Sequence, residues 1–455
     1  MERMNNHFVD CPTELRDKKI NFFTTSFNFC AHPLIKTSIK TRMRYFAVLE
    51  YLTKSCAIEY LYSDARLSQY RNFLIGTNAV AALEPHNCDA AIKMLIGDFL
   101  KPWKRNYRLI LFCDIALILL DSTAINKAYE MILKYLSARK QKKFGELLKL
   151  LYNDINVPQA FKSVEYLISQ FRTNHEFASQ QIMRVLVTAN MSAGKSTLIN
   201  ALIGKPITRT SQEACTSNLC YLYNKPFEDN RVHLIDSSLN LDATQNDLSN
   251  IKRESVSNIA SYFRMTGHPK KRICLIDTPG VNFALNNTHG IIARQAIVNE
   301  NYDMLIYVLN ANLLGVDDEI NHLKYVYENV PNDKVVFILN KLDCFKKVDD
   351  SISTSIDGVK NDLEKIGFKN PIICPMSAYF SLLLKIKQNN EELSEDEQDV
   401  FDLYVRKFNK PEYDLSVFYP SEVSGIKPIN EDLQKMSFIS GLFGLETILY
   451  GGASI

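Results

Sequence analysis

A chain of 455 residues has room for roughly two to four domains. With 46% apolar and 23% charged residues, it has the composition of a folded protein with a sizeable core. A net charge of +2 gives no global argument for nucleic acid or for an acidic partner.

The N-terminal stretch MERMNNHFVDCPTELRDKK has no apolar run and reads as no secretory signal. Ten cysteines are scattered from Cys11 to Cys374 without a C-x-x-C pair, and eight histidines show no metal-ligand spacing. Free thiols in a reducing, cytoplasmic setting are expected. From about Thr37 to Gln181, apolar residues recur every three or four positions, as in RYFAVLEYLTKSCAIEYLY and AYEMILKYL, and glycine is scarce. That spacing predicts an all-helical domain over residues 1–180. LILFCDIALILL, Leu109 to Leu120, carries Asp114 and is too short to span a bilayer, so it reads as a buried helix. KPWKRNYR, with Trp103, and SARKQKKFGELLKLL are basic clusters. A solvated helix face is the plain reading of both, and contact with anionic lipid is the alternative.

The pattern then changes. IMRVLVTA, KRICLIDTPG, YDMLIYVLNA, DKVVFILNKLD and NPIICPMSA are short β-branched runs of the kind found in buried parallel strands. Helical stretches such as DDEINHLKYVYENV separate them. The alternation predicts an α/β P-loop domain over residues 181–455, its mostly parallel sheet covered by helices on both faces. NNEELSEDEQDVF, Asn389 to Phe401, is an acidic run with no function assigned. The apolar tail FISGLFGLETILYGGASI, with Glu446 its one charge, reads as a last helix packed on the sheet, or alternatively as a lipid-touching segment.

The motifs fall at the strand ends, where ligands of such sheets bind. After the strand RVLVT, the turn ANMSAGKST opens the helix LINALI. Backbone N–H groups of Asn190, Met191, Ser192, Ala193, Gly194 and Thr197 are placed to converge on phosphate at a helix N-terminus. Gly194 permits the tight wrap, Lys195 reaches the β- and γ-phosphates, and Ser196 ligates Mg²⁺. Ala189 stands where such a loop has its first glycine, at little cost if its φ is negative. Asp277 in LIDTPG would hold Mg²⁺ through a water, with Gly280 N–H sensing the γ-phosphate. In NKLD, the Asp343 carboxylate accepts from guanine N1–H and the 2-amino group, donors that adenine lacks there. Asn340 would steady the loop, and the Lys341 stem would lie over the ring. At Ser377 and Ala378, a backbone N–H would meet guanine O6. Thr216 is the candidate switch threonine closing on Mg²⁺, with Thr210 and Ser217 as rivals. The order of these pieces implies a GTP-binding domain.

Lys195 and Asp277 stand 82 positions apart, much farther than in a small Ras-like GTPase. That length, with SAGKSTLINALIG and the late SGLFGLE helix, resembles the dynamin superfamily over about Met183 to Tyr450, and bacterial dynamin-like proteins in particular. The resemblance implies a large GTPase whose nucleotide faces pair as a homodimer or with a related chain, pairing that stimulates hydrolysis. It also implies peripheral contact with a membrane. Val281 stands where a Ras-like enzyme has its water-orienting glutamine. In dynamins a glutamine occupies the position of Met191, and a monovalent cation beside the position of Ser192 replaces an arginine finger; Met191 departs from that pattern. Dynamins also carry a helical stalk after the GTPase domain, so a lever here is expected to come from residues 1–180 or from a partner chain, or to be missing.

The expected activity is hydrolysis of GTP to GDP and phosphate, with Lys195, Ser192 and Thr216 as catalytic residues and Ser196, Thr216 and Asp277 around Mg²⁺. The alternative is a switch that hydrolyses GTP negligibly and holds a protein partner through the helical domain. No basic RNA-binding region supports a ribosome-associated role, so no nucleic-acid partner is expected.

Overall fold

A computed structural model describes residues 13–58, 60–76, 85–96, 105–208, 218–251, 256–265, 271–280, 287–345, 351–419 and 432–450. The chain divides into two units: Met1–Gln180 with Lys225–Ala243, and Gln181–Asn224 with Thr244–Ile455.

The described residues of the first unit carry α1 (Thr13–Phe23), α2 (Ile39–Cys56), α3 (Tyr60–Leu74), α4 (Pro85–Ile96), α5 (Arg105–Leu119), α6 (Ser122–Leu133), α7 (Ala138–Tyr152) and α8 (Glu165–Ser179). Its core gathers Leu49, Leu111, Phe112, Ile125, Leu147 and Phe171 around α5. That helix is apolar on all sides because it is surrounded. Asp114 is fully buried within it and its carboxylate is satisfied there. It accepts from Tyr45 OH at 2.5 Å and Tyr70 OH at 3.1 Å, and lies 3.2 Å from His32 Nε2. Burial and the carboxylate push both tyrosines well above their usual pKa, which keeps the hydroxyls protonated as donors. Among the described residues no helix is long and apolar enough to cross a membrane.

Residues 225–243, expected with the phosphate-binding domain, are counted with the helices instead. They carry β3 (Val232–Ile235) and β4 (Leu239–Ala243), an antiparallel pair. Long-range polar bonds explain the grouping. Ser26 Oγ donates to Phe227 O at 2.6 Å, and Gln69 Nε2 to Leu241 O at 2.7 Å. His233, held neutral by burial and by Lys225, lies with Nδ1 2.6 Å from Phe23 O. Its Nε2 lies 3.2 Å from Lys225 Nζ, which also pairs with Asp229 at 2.6 Å.

The second unit contains β1 (Met183–Ala189), α9 (Lys195–Ile203), β2 (Cys220–Asn224), α10 (Gln245–Ser249), β5 (Ser257–Ser261), β6 (Ile273–Asp277), α11 (Asn287–Asn299), β7 (Met304–Asn310), α12 (Asp317–Asn329), β8 (Val335–Asn340), α13 (Ile352–Ile366), β9 (Ile372–Pro375), α14 (Ala378–Gln388), α15 (Glu395–Phe408), α16 (Asp432–Ile439) and α17 (Leu442–Tyr450). Within this unit the strands are hydrogen-bonded in the order β5-β2-β6-β1-β7-β8-β9. All pairings are parallel except β2 against β6. β6, β7 and β8 are buried along their whole length, as their unbroken apolar sequences require. The strand order reverses at β1, so the loops after β1, β6 and β7 meet at one end of the sheet.

The apolar tail packs as its plain reading has it: every residue of α17 is buried. Its one charge, Glu446, pairs inside the protein with Lys385 of α14, which also donates to Leu202 O at 2.9 Å. Gly441, between α16 and α17, has φ +83, and an added Cβ would lie 2.2 Å from Pro375 O. Gly441→Ala is expected to destabilise the protein by roughly 2–4 kcal/mol, from left-handed strain and overpacking together. Denaturant unfolding reads this directly, and an unchanged midpoint would contradict the packing described.

Candidate functional site

The phosphate loop follows directly from β1. Ala189 closes that strand in register with Val308 of β7, and its φ is not positive, so it meets the condition set for replacing the glycine. The loop then turns on two left-handed residues, Ser192 (φ +61) and Gly194 (φ +89). Gly194 is required for a second reason: a Cβ there would stand 2.4 Å from Asn340 Nδ2. α9 begins at Lys195, so its first N–H groups and the loop's N–H groups face one space.

Lys195 Nζ donates to Asp277 Oδ1 in a buried ion pair. Burial raises the Asp277 carboxyl while Lys195 pulls it down, and the net direction is upward. Asp277 Oδ2 is buried with no hydrogen-bond partner among the described residues. A lone buried acceptor on the carboxylate that pairs with Lys195, the first residue of α9, fits a hydrated divalent cation. Thr278 Oγ1 donates to Val187 O at 2.9 Å and holds the turn after β6 against β1. Gly280 lies close to the phosphate loop, since a Cβ on it would be 3.9 Å from Met191 Cα. Thr216, Thr210, Ser217 and Val281 lie outside the described residues, as does Trp103.

The base-reading loops converge on Asn340. Its Nδ2 donates to Ala193 O at 2.9 Å, and its Oδ1 accepts from Ala378 N at 3.0 Å. One buried amide therefore ties the phosphate loop, NKLD and the loop after β9 together. Lys341 is left-handed, φ +69, and its stem lies beside Gly194. Asp343 is buried, with Oδ1 accepting from Ser377 Oγ at 2.6 Å and Oδ2 from Tyr404 OH at 2.9 Å. The loop after β9 differs from expectation at its backbone. The N–H groups of Ser377 and Ala378 already donate, to Ser440 O at 3.1 Å and to Asn340 Oδ1, because the link between α16 and α17 and the NKLD amide both pack there. Ser377 instead reaches the base-reading carboxylate through its hydroxyl.

Four functional side chains escaped sequence reasoning. Asn310, ending β7, donates to Ser192 O at 3.3 Å and supports the phosphate loop. Asn200 accepts from Ile207 N and Thr208 N at 3.0 and 2.8 Å, anchoring the chain where it enters the segment holding Thr216. An asparagine on the buried face of the apolar helix STLINALI was the available signal. Tyr404 and Lys407 of α15 grip the Asp343 loop, and a helix so remote in sequence offered none.

A glycine-wrapped loop between a buried parallel strand and a helix, an acidic strand end beside its lysine, and a buried carboxylate in the loop tied to it define the phosphate-loop type of α/β domain. Residues 185–342 match the family model described as the dynamin family. The chain is 25% identical over 290 residues to an uncharacterized Caldicellulosiruptor protein, covering 59% of this chain and 65% of that one. It is 25% identical to "Probable transmembrane GTPase FZO-like, chloroplastic" of Arabidopsis thaliana, over 53% of this chain and 24% of that one. It is 28% identical to "Dynamin-like protein A" of Bacillus subtilis, over 36% of this chain and 14% of that one. The chain thus spans less than two thirds of the length of each relative. Its likeness to the dynamin family is carried by residues 185–342.

Proposed function

We propose that this chain hydrolyses GTP to GDP and phosphate, and that two nucleotide faces close on each other to complete the site. The observation that carries the reading is the buried Asn340 link, which makes the phosphate loop and the base-reading loop one rigid cradle. Lys195 leaves Asp277 for the β- and γ-phosphates and offsets charge on the transferring phosphoryl group. Ser196 and Thr216, with Asp277 through a water, would hold Mg²⁺, which when bound would add charge neutralisation there. Ser192 is the position at which a monovalent cation would add to it.

Pairing is supported by the surface around the loop. Met191 is 38% exposed, and Leu313, Leu314 and Val316 are exposed on the loop after β7, which Asn310 ties to Ser192. Apolar side chains clustered beside a ligand site are an interaction surface in waiting. Turnover per molecule is expected to rise with protein concentration, and Leu313→Asp to flatten that rise. A rate per molecule constant from nanomolar to micromolar protein would contradict pairing-driven hydrolysis. The same assay with anionic vesicles tests membrane contact through the exposed Arg139, Lys142 and Lys143 of α7.

Met191 favours a second reading, a slow GTP-dependent switch that holds a protein partner. A thioether cannot orient a water by hydrogen bonding. Single-turnover rates no faster than spontaneous GTP hydrolysis would select the switch.

A further inference from the structure

The acidic run Asn389–Phe401 acquires a meaning once α15 is followed to its other end. Ser394 caps the helix and shares a capping box with Glu397. Glu395, Asp396 and Glu397 occupy the first turn and Arg406 and Lys407 the last, so the charges complement the helix dipole. One face packs on Phe380 of α14: Phe401, Tyr404 and Phe408 have ring centroids 5.9, 5.7 and 5.0 Å from it. That packing aims the end of α15 at the base-reading loop. Lys407 Nζ donates to Asp343 O at 2.6 Å and also to Phe345 O. Tyr404 OH donates to Asp343 Oδ2 at 2.9 Å.

We infer that Tyr404 is a specificity-determining positioning residue, which holds the Asp343 carboxylate in the plane that reads both guanine donors. The inference rests on the proposed reading of Asp343 as the base selector. An ionised carboxylate offers about four lone-pair positions. Ser377 occupies one on Oδ1 and Tyr404 one on Oδ2. Cys344 Sγ also lies 3.5 Å from Oδ2, a weak donor that a guanine N–H would displace, so each oxygen can present one position to the two guanine donors, N1–H and the 2-amino group. With a hydroxyl pinned to each oxygen, the carboxylate cannot rotate about its Cβ–Cγ bond, and a two-pronged contact needs that plane fixed. A base with one donor needs it less, because a single hydrogen bond follows a rotating oxygen. Tyr404 therefore separates GTP from ITP, whose base lacks the 2-amino group. The phenol is suited to this work, since burial and Asp343 raise its pKa and keep the proton on it.

Tyr404→Phe keeps the ring against Phe380 and removes only the hydroxyl. Full-length wild type, Tyr404→Phe and Lys407→Met are compared for binding of GTP, ITP and ATP by calorimetry, with thermal melting of each. In Tyr404→Phe, GTP affinity is expected to fall by about tenfold, ITP affinity by much less, and the melting temperature to hold. Lys407→Met loosens the loop without touching the carboxylate, so GTP and ITP weaken together. A GTP-to-ITP ratio that is unchanged or higher in Tyr404→Phe overturns the inference. An equal fall of the ratio in Lys407→Met also overturns it, by tracing the effect to loop position. If wild type binds ATP as well as GTP, the reading of Asp343 itself fails, and that outcome is separate from either of the others.

Discussion

Replacing Lys195 by alanine is expected to weaken GTP binding by at least about a hundredfold and, without nucleotide, to destabilise the protein. The first effect is the loss of charge-assisted bonds to two phosphates, each worth roughly 1.5–3 kcal/mol. The second follows from the ion pair. Asp277 is wholly buried, and among the described residues Lys195 is its one counter-charge and Oδ2 has no hydrogen-bond partner. Removing one member of a buried pair costs roughly 3–5 kcal/mol, because the other charge stays without compensation. The pH dependence has a definite sign. Burial already raises the Asp277 carboxyl, and without Lys195 it rises further. An acid whose pKa is higher folded than unfolded takes up protons more readily when folded, so its destabilising effect grows as pH rises through that interval. The Lys195→Ala defect should therefore shrink toward acid pH. Adding Asp277→Asn should recover stability at neutral pH and leave nucleotide binding lost. Thermal melts with and without GTP separate the two effects. Normal GTP binding by Lys195→Ala would remove the phosphate-loop assignment.

Asp343→Asn is expected to exchange the preferred base. The side chain keeps its shape, and its oxygen can still accept from Ser377 and from N1–H. Its amide nitrogen now faces the guanine 2-amino group, donor against donor. A site built to pair with a polar group rejects a mismatched one far more strongly than a pocket that merely fits it. GTP affinity should fall by about a hundredfold or more, by the same reasoning on unpaired buried donors. XTP, with a carbonyl where guanine has its amino group, should bind the variant better than GTP does. Competition between the two triphosphates for one labelled nucleotide measures the exchange. A variant that still prefers GTP would show that the base is read elsewhere.

Much of the second unit was legible because its central strands are buried on both faces. ICLID, MLIYVLN and VVFILN are apolar up to their last residue, and the first and third end in a motif residue, Asp277 and Asn340. The motifs then ordered themselves along the chain. The strands β2 and β5, CYLYN and SNIAS, were missed, since tyrosine, asparagine and serine interrupt them although they too are buried. The segment 225–243 joined the helical unit through bonds such as Ser26 to Phe227, 201 positions apart, which no local pattern encodes. The grip of Tyr404 on Asp343 spans 61 positions and arises from packing of α15 on Phe380. Base-reading side chains were visible as a motif; the groups that fix their orientation were not, because orientation is a property of the assembled fold.

We propose one cradle, running from Lys195 to Asp343, for guanine nucleotide. Equilibrium binding of GTP and ATP to the full chain with Mg²⁺ tests it most directly. GTP is expected to bind, ATP not to compete at comparable concentration, and Asp343→Asn to remove the difference. Equal binding of the two nucleotides by the unaltered protein, or no binding of GTP at all, would contradict it.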